Sequence, residues 1–420
     1  MQNSDQLLLI DQGNPLLAPL LPERSFSQWA EDLHFDPVPN RQTAGLQVSE
    51  SHLHLVEQVF IPSQRSIVLA MSLAAMMISS LRRRDPRIPA NRHYPYQLAT
   101  YSEKVSKKSL HQIPWLGEGA PGVILQGPTG SSKSHSCDAY LRLLPQYVDH
   151  DAHHECGWLK LRQLIYLRVP MPADFSRKGL LLNIVWKIDE ALNTSYGNEI
   201  NNRITQEQLL VEVLKILAVH RCGLLILEEV QERNVSSIGL GSEFSTVFLK
   251  IMNSGVPLAL VGNPKSFDRI MSFSQDQRRL TSGGQFDFVP AFDHTDEEWG
   301  LDLVPGVWGW SVFPEDDEPI QNLPRFLFER TGGIPAVLSL YRRECLVEAF
   351  RSGAQRVTRN HADAAFWSPA MVGMHRLIDA YVKKDLQALA QSFTDQPITF
   401  LRDVWSRERR RRGESDERKK

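Results

Sequence analysis

The chain has 420 residues, of which 42% are hydrophobic, 23% charged and 9% aromatic. This is the composition of a folded protein with two or three domains, and it excludes a low-complexity chain. The formal net charge of −2 gives no global basic field that would indicate nucleic acid, although a local basic face is compatible with it.

Spacing patterns exclude three further classes. The four cysteines are separated by 19, 66 and 123 residues, so no pair has the spacing of a metal knuckle or a redox motif. The longest apolar stretch, Ile67 to Leu81, has 15 residues, whereas a membrane-spanning helix needs about 20. Residues 1–30 show no charged-then-apolar leader. We therefore expect a cytoplasmic protein with no membrane segment, disulfide framework or zinc ribbon.

The N-terminal third predicts little regular structure apart from one long helix. Residues 1–55 are polar and rich in turn formers, which predicts a partly ordered arm that binds a partner. Apolar residues recur at helical spacing from His54 to Arg84, and Pro86 predicts the end of that helix. Four prolines between Pro86 and Gly119 predict an extended connection. Residues 56–118 are thus a helical lead-in and linker.

From Gly122 the pattern changes to short apolar runs separated by helical segments. The runs are rich in Ile, Leu and Val, as fully buried parallel strands are, and cover residues 122–125, 164–169, 224–227 and 258–261. Helical patterns occur near residues 179–192 and 205–219. Such alternation is typical of an α/β domain with a parallel sheet, which we assign to residues 119–300.

The C-terminal part predicts helices only. Their patterns cover residues 324–330, 334–350, 359–367 and 371–393, and we assign residues 301–395 to a helical lid. Arg402 to Lys420 has nine basic and five acidic side chains and no evident apolar face. This predicts a disordered basic tail within residues 396–420.

A glycine-rich segment between the first strand and the next helix has the spacing of a phosphate-binding loop, the P-loop. It consists of Gly127, Pro128, Thr129, Gly130, Ser131, Ser132, Lys133 and Ser134. Its backbone N–H groups would cradle phosphate oxygens. Lys133 would reach the β- and γ-phosphates of ATP, and the Ser134 hydroxyl would bind Mg²⁺. The alternative is a glycine-rich turn that caps a helix, with Lys133 solvated.

One position of this loop departs from the usual pattern. Ser132 stands where a glycine normally precedes the lysine. If the position requires a positive φ, the serine side chain adds strain of about 1 kcal/mol.

Two adjacent carboxylates, Glu228 and Glu229, end the third apolar run. Ligands of open α/β sheets bind at the carboxyl ends of strands. We assign Glu228 to Mg²⁺ and Glu229 to activation of the attacking water. Aspartate is usual at the first position, so Glu228 reaches one methylene further. The alternative is a pair of solvated carboxylates.

Polar residues after the fourth run extend this set. Asn263 follows the run, where it would hydrogen-bond the γ-phosphate or the attacking water, or else form an Asn-Pro turn with Pro264. Arg278 and Arg279 come next, and an arginine here would reach the γ-phosphate held by a neighbouring subunit. Such arginines raise the hydrolysis rate by about 10³–10⁵. We favour Arg279, then Arg278; the alternative is a solvated basic face.

The ordered set of P-loop, Glu-Glu strand, Asn-ended strand, arginine pair and helical lid resembles the AAA+ ATPases. More closely, the chain resembles the TnsC/TniB-type transposition regulators of Tn-seven-like transposons, which include CRISPR-associated elements. This closer resemblance spans roughly residues 55–395 and is carried by three segments: residues 166–170 followed by 175–180, residues 81–86 with 91–92, and residues 377–386. Many AAA+ proteins place a nucleotide-sensing arginine on the lid helix, where this chain has Pro335 and Ala336.

The resemblance implies a slow, regulatory ATPase that self-associates with ATP on duplex DNA as a ring or filament. It would link a target-selection protein of the TnsD/TniQ type to the transposase, and hydrolysis would reset the assembly. Arg177 and Lys178 follow the second predicted strand, where they would touch DNA phosphates or simply remain solvated.

Other functions and sites are open to the same sequence. One is a P-loop switch or loader that acts on a protein partner; another is a scaffold that binds ATP without hydrolysing it. The acidic and histidine-rich residues from Asp149 to Cys156 contain metal-ligating residue types, but they lie in a predicted surface loop, and we predict no metal site there.

Overall fold

The structure, a computed structural model, describes residues 13–38, 48–102, 113–116, 119–174, 176–201, 203–230, 242–270 and 274–413. The chain forms two compact units, each built from discontinuous segments. Unit 1 contains Met1–Ser25, Val68–Gln126 and Tyr140–Asp287; unit 2 contains Phe26–Ile67, Gly127–Ala139 and Phe288–Lys420.

Unit 1 is built on a parallel five-stranded sheet. The strands of the unit are β1 (Gly122–Gln126), β2 (Tyr147–His150), β3 (Leu161–Leu164), β4 (Leu167–Pro170), β5 (Leu225–Val230), β6 (Leu258–Gly262) and β7 (Gln285–Asp287). The main sheet has the order β4-β5-β6-β1-β7, with every neighbouring pair parallel, while β2 and β3 form a separate antiparallel pair. The predicted α/β fold with a parallel sheet is confirmed.

Helices account for most of the remaining chain. In chain order they are α1 (Phe26–Leu33), α2 (Glu50–Leu53), α3 (Gln64–Arg83), α4 (Pro89–Ser102), α5 (Lys133–Leu141), α6 (Arg177–Leu192), α7 (Tyr196–Glu199), α8 (Gln206–Val219), α9 (Ser242–Asn253), α10 (Pro264–Ile270), α11 (Ser274–Leu280), α12 (Val304–Trp308), α13 (Leu323–Thr331), α14 (Pro335–Arg351), α15 (Arg359–Phe366), α16 (Pro369–Val372), α17 (His375–Lys383), α18 (Leu386–Ser392) and α19 (Ile398–Arg411). A 3₁₀ turn (His54–Gln58) and a π-helical turn (Glu298–Leu303) also occur.

The core of unit 1 lies between the sheet and its helices. The residues of β1 and β6 are all buried, as expected for central strands of a sheet covered on both faces. Helix α8 starts at a capping box, in which Thr205 accepts from the N–H of Gln208 and the Gln208 side chain accepts from the N–H of Thr205. Its leucines, and its valines apart from the exposed Val219, pack into the same core.

Unit 2 has an aromatic-rich core around α14. Tyr341 is fully buried, and its hydroxyl donates to the carbonyl of Ala362 on α15 at 2.8 Å. The next residue, Arg342, is also fully buried; it pairs with Asp317 at 2.6 Å and donates to the carbonyl of Trp310. This charge is paired and hydrogen-bonded, which is the condition for burying it.

Residues 86–119 were expected to form an extended connection, and that prediction is wrong because α4 lies within them. Pro89 is the first residue of α4, where the missing N–H of proline removes no helical hydrogen bond. Pro95 lies inside the helix, but Tyr94 and Leu98 are buried in the core of unit 1. Tertiary packing therefore overrides the local helix-breaking tendency of the segment.

Two other predicted elements are divided in the structure. The run at residues 164–169 is two strands, because β3 ends at Leu164 and turns to pair with β2, and only β4 joins the main sheet. The continuous helix predicted over residues 371–393 is three helices, α16 to α18. Lys384 adopts a left-handed φ of 54° after α17, a conformation that ends a helix.

The predicted disordered tail is wrong for residues 402–411, which belong to α19. Leu401 and Trp405 are four residues apart and buried, so α19 does have an apolar face. The Trp405 ring meets that of Tyr381 edge-on at 5.9 Å. Residues 414–420 of the tail, like Phe175 of the family resemblance, lie outside the described residues.

Helix α3 bears on the question of membrane segments. It is long and apolar enough, by length and composition alone, to cross a membrane, although half of its most apolar window is buried within the protein. Core helices of globular proteins meet the same test, so α3 is weak evidence for a membrane segment.

Candidate nucleotide-binding site

The predicted P-loop borders a cavity of about 420 Å³ that lies wholly within unit 2. Residues 130–135 of the loop and of α5 form one wall, and residues 59–61, α12 and the start of α14 contribute the others. Ligand pockets of proteins have volumes of about 300–1,000 Å³. The cavity is therefore large enough for a nucleotide-sized ligand.

The backbone of the loop has the steric and conformational restrictions of a tight glycine-rich turn. A Cβ on Gly127 would overlap the carbonyl oxygen of Phe288, so that position accepts only glycine. Gly130 has a φ of 81° and Ser132 a φ of 67°. Ser132 thus occupies the left-handed conformation for which the usual pattern has glycine, and it carries the strain expected for that departure.

Lys133 lies folded onto the loop that it follows. Its ammonium donates to the carbonyl oxygens of Gly127 and Pro128, at 2.9 and 2.8 Å. Burial lowers the pKa of Lys133 to about 8. The Ser131 hydroxyl donates to the carbonyl of Pro128 at 2.8 Å and completes a compact loop. An incoming phosphate would offer Lys133 charged acceptors in place of these neutral carbonyls.

The first turn of α14 closes the cavity beside the loop. The N–H of Ala336 donates to the carbonyl of Gly130 at 3.2 Å, and Pro335, Ala336 and Ser339 line the cavity. These are the positions at which many AAA+ proteins carry a sensing arginine. Further along α14, Arg343 instead pairs with Glu57 at 2.7 Å.

The cavity also has apolar walls. Val59, Ile61, Leu303 and Val307 line it, and the flat face of a nucleotide base fits such walls. Glu298 also faces the cavity, and its pKa is raised by burial, which outweighs the opposing effect of nearby Arg65. No sequence motif marks these apolar residues, because they are far apart in the chain.

Glu228, the first of the two adjacent carboxylates, is engaged in an ion pair in unit 1. Arg168 on β4 binds Glu228 through two nitrogens, with Nη2–Oε1 at 2.7 Å and Nε–Oε2 at 3.1 Å. The two residues come together because β4 and β5 are adjacent parallel strands. Glu228 is the predicted Mg²⁺ ligand, so the carboxylate assigned to the metal is held by a protein cation.

The second carboxylate, Glu229, has an unusual backbone. Its φ is 57°, and the pairing register of β5 with β6 shifts between Leu227 and Val230. The side chain of Glu229 is exposed at the carboxyl end of β5. A non-glycine residue in the left-handed region stores strain of about 1–3 kcal/mol, and such residues cluster at functional sites.

Asn263 directly follows β6 at the same edge of the sheet. Its Oδ1 accepts from the N–H of Lys265 at 3.1 Å, so Asn263 forms the turn that leads into α10. Asn263 thus has the role given above as the alternative, an Asn-Pro turn with Pro264. The strands β5, β6 and β1 place Glu229, Asn263 and Gln126 at one edge.

Arg278 and Arg279 lie in the last turn of α11, ahead of β7. Arg279 donates to the Asn253 side chain and approaches the Cα of Gly119. Both arginines line an open depression at the amino ends of the strands. A ligand bound in this depression would lie at the amino ends of the strands, whereas Glu229 lies at the carboxyl end of β5.

Arg177 and Lys178 form the first turn of α6, just after β4. Both are half-buried, and the ammonium of Lys178 donates to the carbonyl of Ile204 at 3.2 Å. Ser176 caps this helix by accepting from the N–H of Gly179 at 2.8 Å. The two side chains predicted to contact DNA are therefore partly buried, and Lys178 is already hydrogen-bonded within unit 1.

Within the described ranges, no group of three or more His, Cys, Asp and Glu side chains is placed to hold a metal ion. In the region from Asp149 to Cys156, Asp149 pairs with Arg162 and His150 hydrogen-bonds Gln163.

Comparisons with known proteins bear on the core. Residues 118–271 match a family model described as "AAA domain". No curated protein matches the chain. Among solved structures, the Aeropyrum pernix ORC1 protein in complex with DNA is similar with a TM-score of 0.41 and 16% identity over 70% of each chain.

Two further structures are similar at the same level. The Aeropyrum pernix ORC2 protein in its ADPNP–ADP complexes gives a TM-score of 0.39 and 14% identity, over 63% of this chain and 67% of that one. Drosophila ORC bound to DNA gives 0.38 and 12% identity, over 94% and 82%.

The family match covers the P-loop and four of the five strands of the main sheet, and it ends before β7. A family of this kind implies nucleotide binding and NTPase chemistry. Residues 118–271 thus match the AAA-domain model, and the fold is α/β with a parallel five-stranded sheet and a P-loop.

Proposed function

We propose that this protein is a Mg²⁺- and ATP-dependent regulator of DNA transposition. The observation that carries the ATP assignment is the loop geometry, in which Gly127 has no room for a side chain and Ser132 accepts a strained φ of 67°. Together with the cavity behind it, this loop supports binding of a nucleotide by its phosphates.

ATP hydrolysis is the second step of the proposal. Glu229 would activate the attacking water, and Asn263 would orient it or the γ-phosphate from the same sheet edge. Ser134 and Glu228 would hold Mg²⁺, which requires Glu228 to leave Arg168. We propose that turnover is slow because this ion pair competes with the metal.

Assembly on DNA is the third step, and the family resemblance supports it. Copies of the chain would assemble with ATP on duplex DNA, with Arg177 and Lys178 contacting phosphates and Arg279, or Arg278, reaching a neighbour's nucleotide. The assembly would link a TnsD/TniQ-type target selector to transposase subunits. We expect this work to take place in the cytoplasm.

The test is binding of a labelled random-sequence duplex, followed by fluorescence anisotropy with ATP, ADP or no nucleotide. We expect binding only with ATP, a steep loss of affinity with salt, and no binding by Lys133→Ala. If no duplex binds in any nucleotide state, the transposition assignment falls. A switch or loader that acts on a protein partner would then replace it.

One observation favours a second candidate, an ATP-binding scaffold without turnover. The pair of Arg168 with Glu228 would fit a carboxylate that serves structure and never meets the metal. Glu229→Gln separates the two functions. In the hydrolysing regulator it traps the ATP-bound assembly and abolishes phosphate release; in the scaffold it leaves both disassembly and phosphate release unchanged.

A further inference from the structure

Glu298 is a half-buried carboxyl group that lines the cavity beside the P-loop. It begins the π-helical turn, and Leu303, which ends that turn, lines the same cavity. The turn closes from residue i to residue i+5, as the N–H of Val304 donates to the carbonyl of Trp299. Residues five apart therefore lie on the same side of the turn, so Glu298 is beside the apolar wall that Leu303 forms. Single π-helical turns are rare and often occur at functional sites.

The apolar wall beside Glu298 suits a flat ring. Ile61 and Val307 line the cavity together with Leu303. The segment of Ile61 and helix α12 approach closely, because a Cβ on Gly306 would overlap the Ile61 side chain. A nucleotide base would bury its faces against such side chains, but the polar groups on its edge would lose their contact with water. Each of these groups then needs a hydrogen-bond partner from the protein.

A chain of serine hydroxyls links Glu298 to the P-loop. The Ser63 hydroxyl hydrogen-bonds the Glu298 carboxyl and lies 2.9 Å from the Ser66 hydroxyl. Ser66 in turn lies 2.9 Å from the hydroxyl of Ser136, which donates to the carbonyl of Ser132 at 2.9 Å. Four hydrogen bonds of about 3 Å each span at most about 12 Å, which is less than the length of an extended nucleoside triphosphate. Glu298 is therefore within reach of a nucleotide whose phosphates lie on the loop.

Glu298 has acceptor positions left for a ligand. A carboxylate offers about four such positions, and the Ser63 hydroxyl occupies one of them. A protonated carboxyl group also keeps an oxygen that accepts. Glu57, the other carboxylate among the described residues of the cavity wall, is already paired with Arg343 at 2.7 Å. Of these two groups, Glu298 is thus the one that is able to receive a hydrogen bond from a ligand without giving up an ion pair.

We propose that Glu298 accepts a hydrogen bond from the amino group of the bound base and so selects adenine nucleotides. Adenine carries an N–H donor at the position where guanine and hypoxanthine carry a carbonyl oxygen. That oxygen would face the Glu298 carboxylate with no proton between them, and a site built around a hydrogen bond rejects a ligand that cannot make it. The inference rests on the proposed ATP binding and names the residue that selects the base.

The ribose is the other part of a nucleotide that offers N–H or O–H donors to a carboxylate. The surroundings of Glu298 favour the base, because the neighbouring wall of Leu303 and Ile61 is apolar. A base gains from covering its faces with such side chains, whereas a ribose would bring its hydroxyl groups to a surface that cannot bond them. The two groups are separated experimentally by changing each of them in turn.

The first test compares the affinities of the full chain for ATP, ITP and GTP by isothermal titration calorimetry. The wild type should bind ATP about 10- to 100-fold more tightly than ITP or GTP, the ratio typical of one charge-assisted hydrogen bond. In Glu298→Gln the ratio should fall to about threefold or less, because an amide donates as well as accepts. Glu297→Gln, at an exposed position outside the cavity wall, is the matched control and should keep the wild-type ratio. Equal affinities in the wild type, or an unchanged ratio in Glu298→Gln, would overturn the inference.

The second test changes the sugar and the support of the carboxyl group. If Glu298→Gln alters the ratio of affinities for ATP and dATP but not that for ATP and ITP, Glu298 binds the ribose and the inference is wrong. Ser63→Ala keeps the carboxyl group but removes the hydroxyl that positions it, so the preference for ATP over ITP should fall about two- to fivefold. This variant keeps the test valid if Glu298→Gln fails to fold, and an unchanged preference in it would then refute the inference.

A comparison of adenosine with inosine separates this inference from the proposed function. Lys133→Ala should weaken ATP and ITP by the same factor, because Lys133 contacts only phosphates in the proposal. If the wild type prefers adenosine to inosine but binds ATP no more tightly than adenosine, the phosphate site is refuted and the base site stands. If ATP binds through Lys133 without any preference over ITP, only the role of Glu298 is refuted. If neither ATP nor adenosine binds, both proposals are wrong.

Discussion

The P-loop and the carboxylates of β5 differ in how ready each is for its ligand. In the loop, Gly127 has no room for a side chain, Gly130 has a positive φ, and Lys133 donates to two neutral carbonyls. At β5, Glu228 is already bound to a guanidinium and Glu229 has a strained backbone. Under the proposed function, this contrast predicts that the protein binds nucleotide readily and hydrolyses it only after a rearrangement.

Removing the cation of the loop gives the largest expected effect. Lys133→Ala should weaken ATP binding at least about 100-fold, because two or more charge-assisted hydrogen bonds to phosphate are lost. Titration with a fluorescent ATP analogue measures this, with Lys160→Ala, an exposed lysine of unit 1, as the control. Equal affinity of the two variants would mean that the loop is a structural turn.

The pH dependence of ATP binding sharpens the same side of the comparison. The pKa of Lys133 is about 8, below its ordinary value, because burial disfavours the charged form. The fraction protonated falls from about 90% at pH 7 to about 10% at pH 9, whereas bound phosphates keep the ammonium protonated. Affinity should therefore fall about tenfold between these values. If the ATP affinity of the wild type does not change with pH, Lys133 is not the group that binds the phosphates. Lys133→Ala should bind ATP weakly, and its affinity should not change between pH 7 and pH 9.

Breaking the ion pair between Arg168 and Glu228 tests the carboxylates of β5. Arg168→Met frees Glu228 for the metal, so ATP turnover should rise about two- to fivefold and reach its maximum at a lower Mg²⁺ concentration. A change of this size corresponds to the free energy of a partly exposed ion pair. Initial rates over a Mg²⁺ titration measure this. Arg162→Met removes the comparable pair with Asp149 and should change nothing. A fall in turnover would instead make Arg168 a residue that positions Glu228 for the metal.

The smallest effect concerns loop strain. Ser132→Gly relieves the left-handed backbone but adds chain entropy to the unfolded state, so the net gain should be about 0.5 kcal/mol in the free energy of unfolding. Differential scanning fluorimetry would show a rise of about 1–2 °C. Ser131→Gly should lower stability, since its hydroxyl donates to the carbonyl of Pro128. A destabilised Ser132→Gly would show that the φ of 67° carries no strain.

The features that the sequence predicted well are those encoded locally. The P-loop lies between β1 and α5 because eight adjacent residues specify a strand, a turn and a helix start. The runs at residues 224–227 and 258–261 became β5 and β6, since only buried strands tolerate such continuous apolar character. The position of Ser132 also allowed its backbone strain to be foreseen.

The features that it missed depend on contacts between distant residues. Arg168 and Glu228 are 60 residues apart and meet only because β4 and β5 are neighbours in the sheet. The apolar walls of the cavity come from residues near 60 and from α12, which are far apart in the chain. Helix α4 forms despite its prolines because it packs on α8, with Tyr94 and Leu98 in the core of unit 1. The sequence of α4 alone does not show that α8 lies against it.

The buried face of α19 has a practical consequence for anyone who shortens the chain. Trp405 covers the ring of Tyr381, and Arg412, just beyond the helix, pairs with Asp293. A truncation at residue 396 would therefore uncover aromatic surface and invite aggregation. A chain shortened after residue 413 keeps all of these contacts and should retain the stability of the full chain.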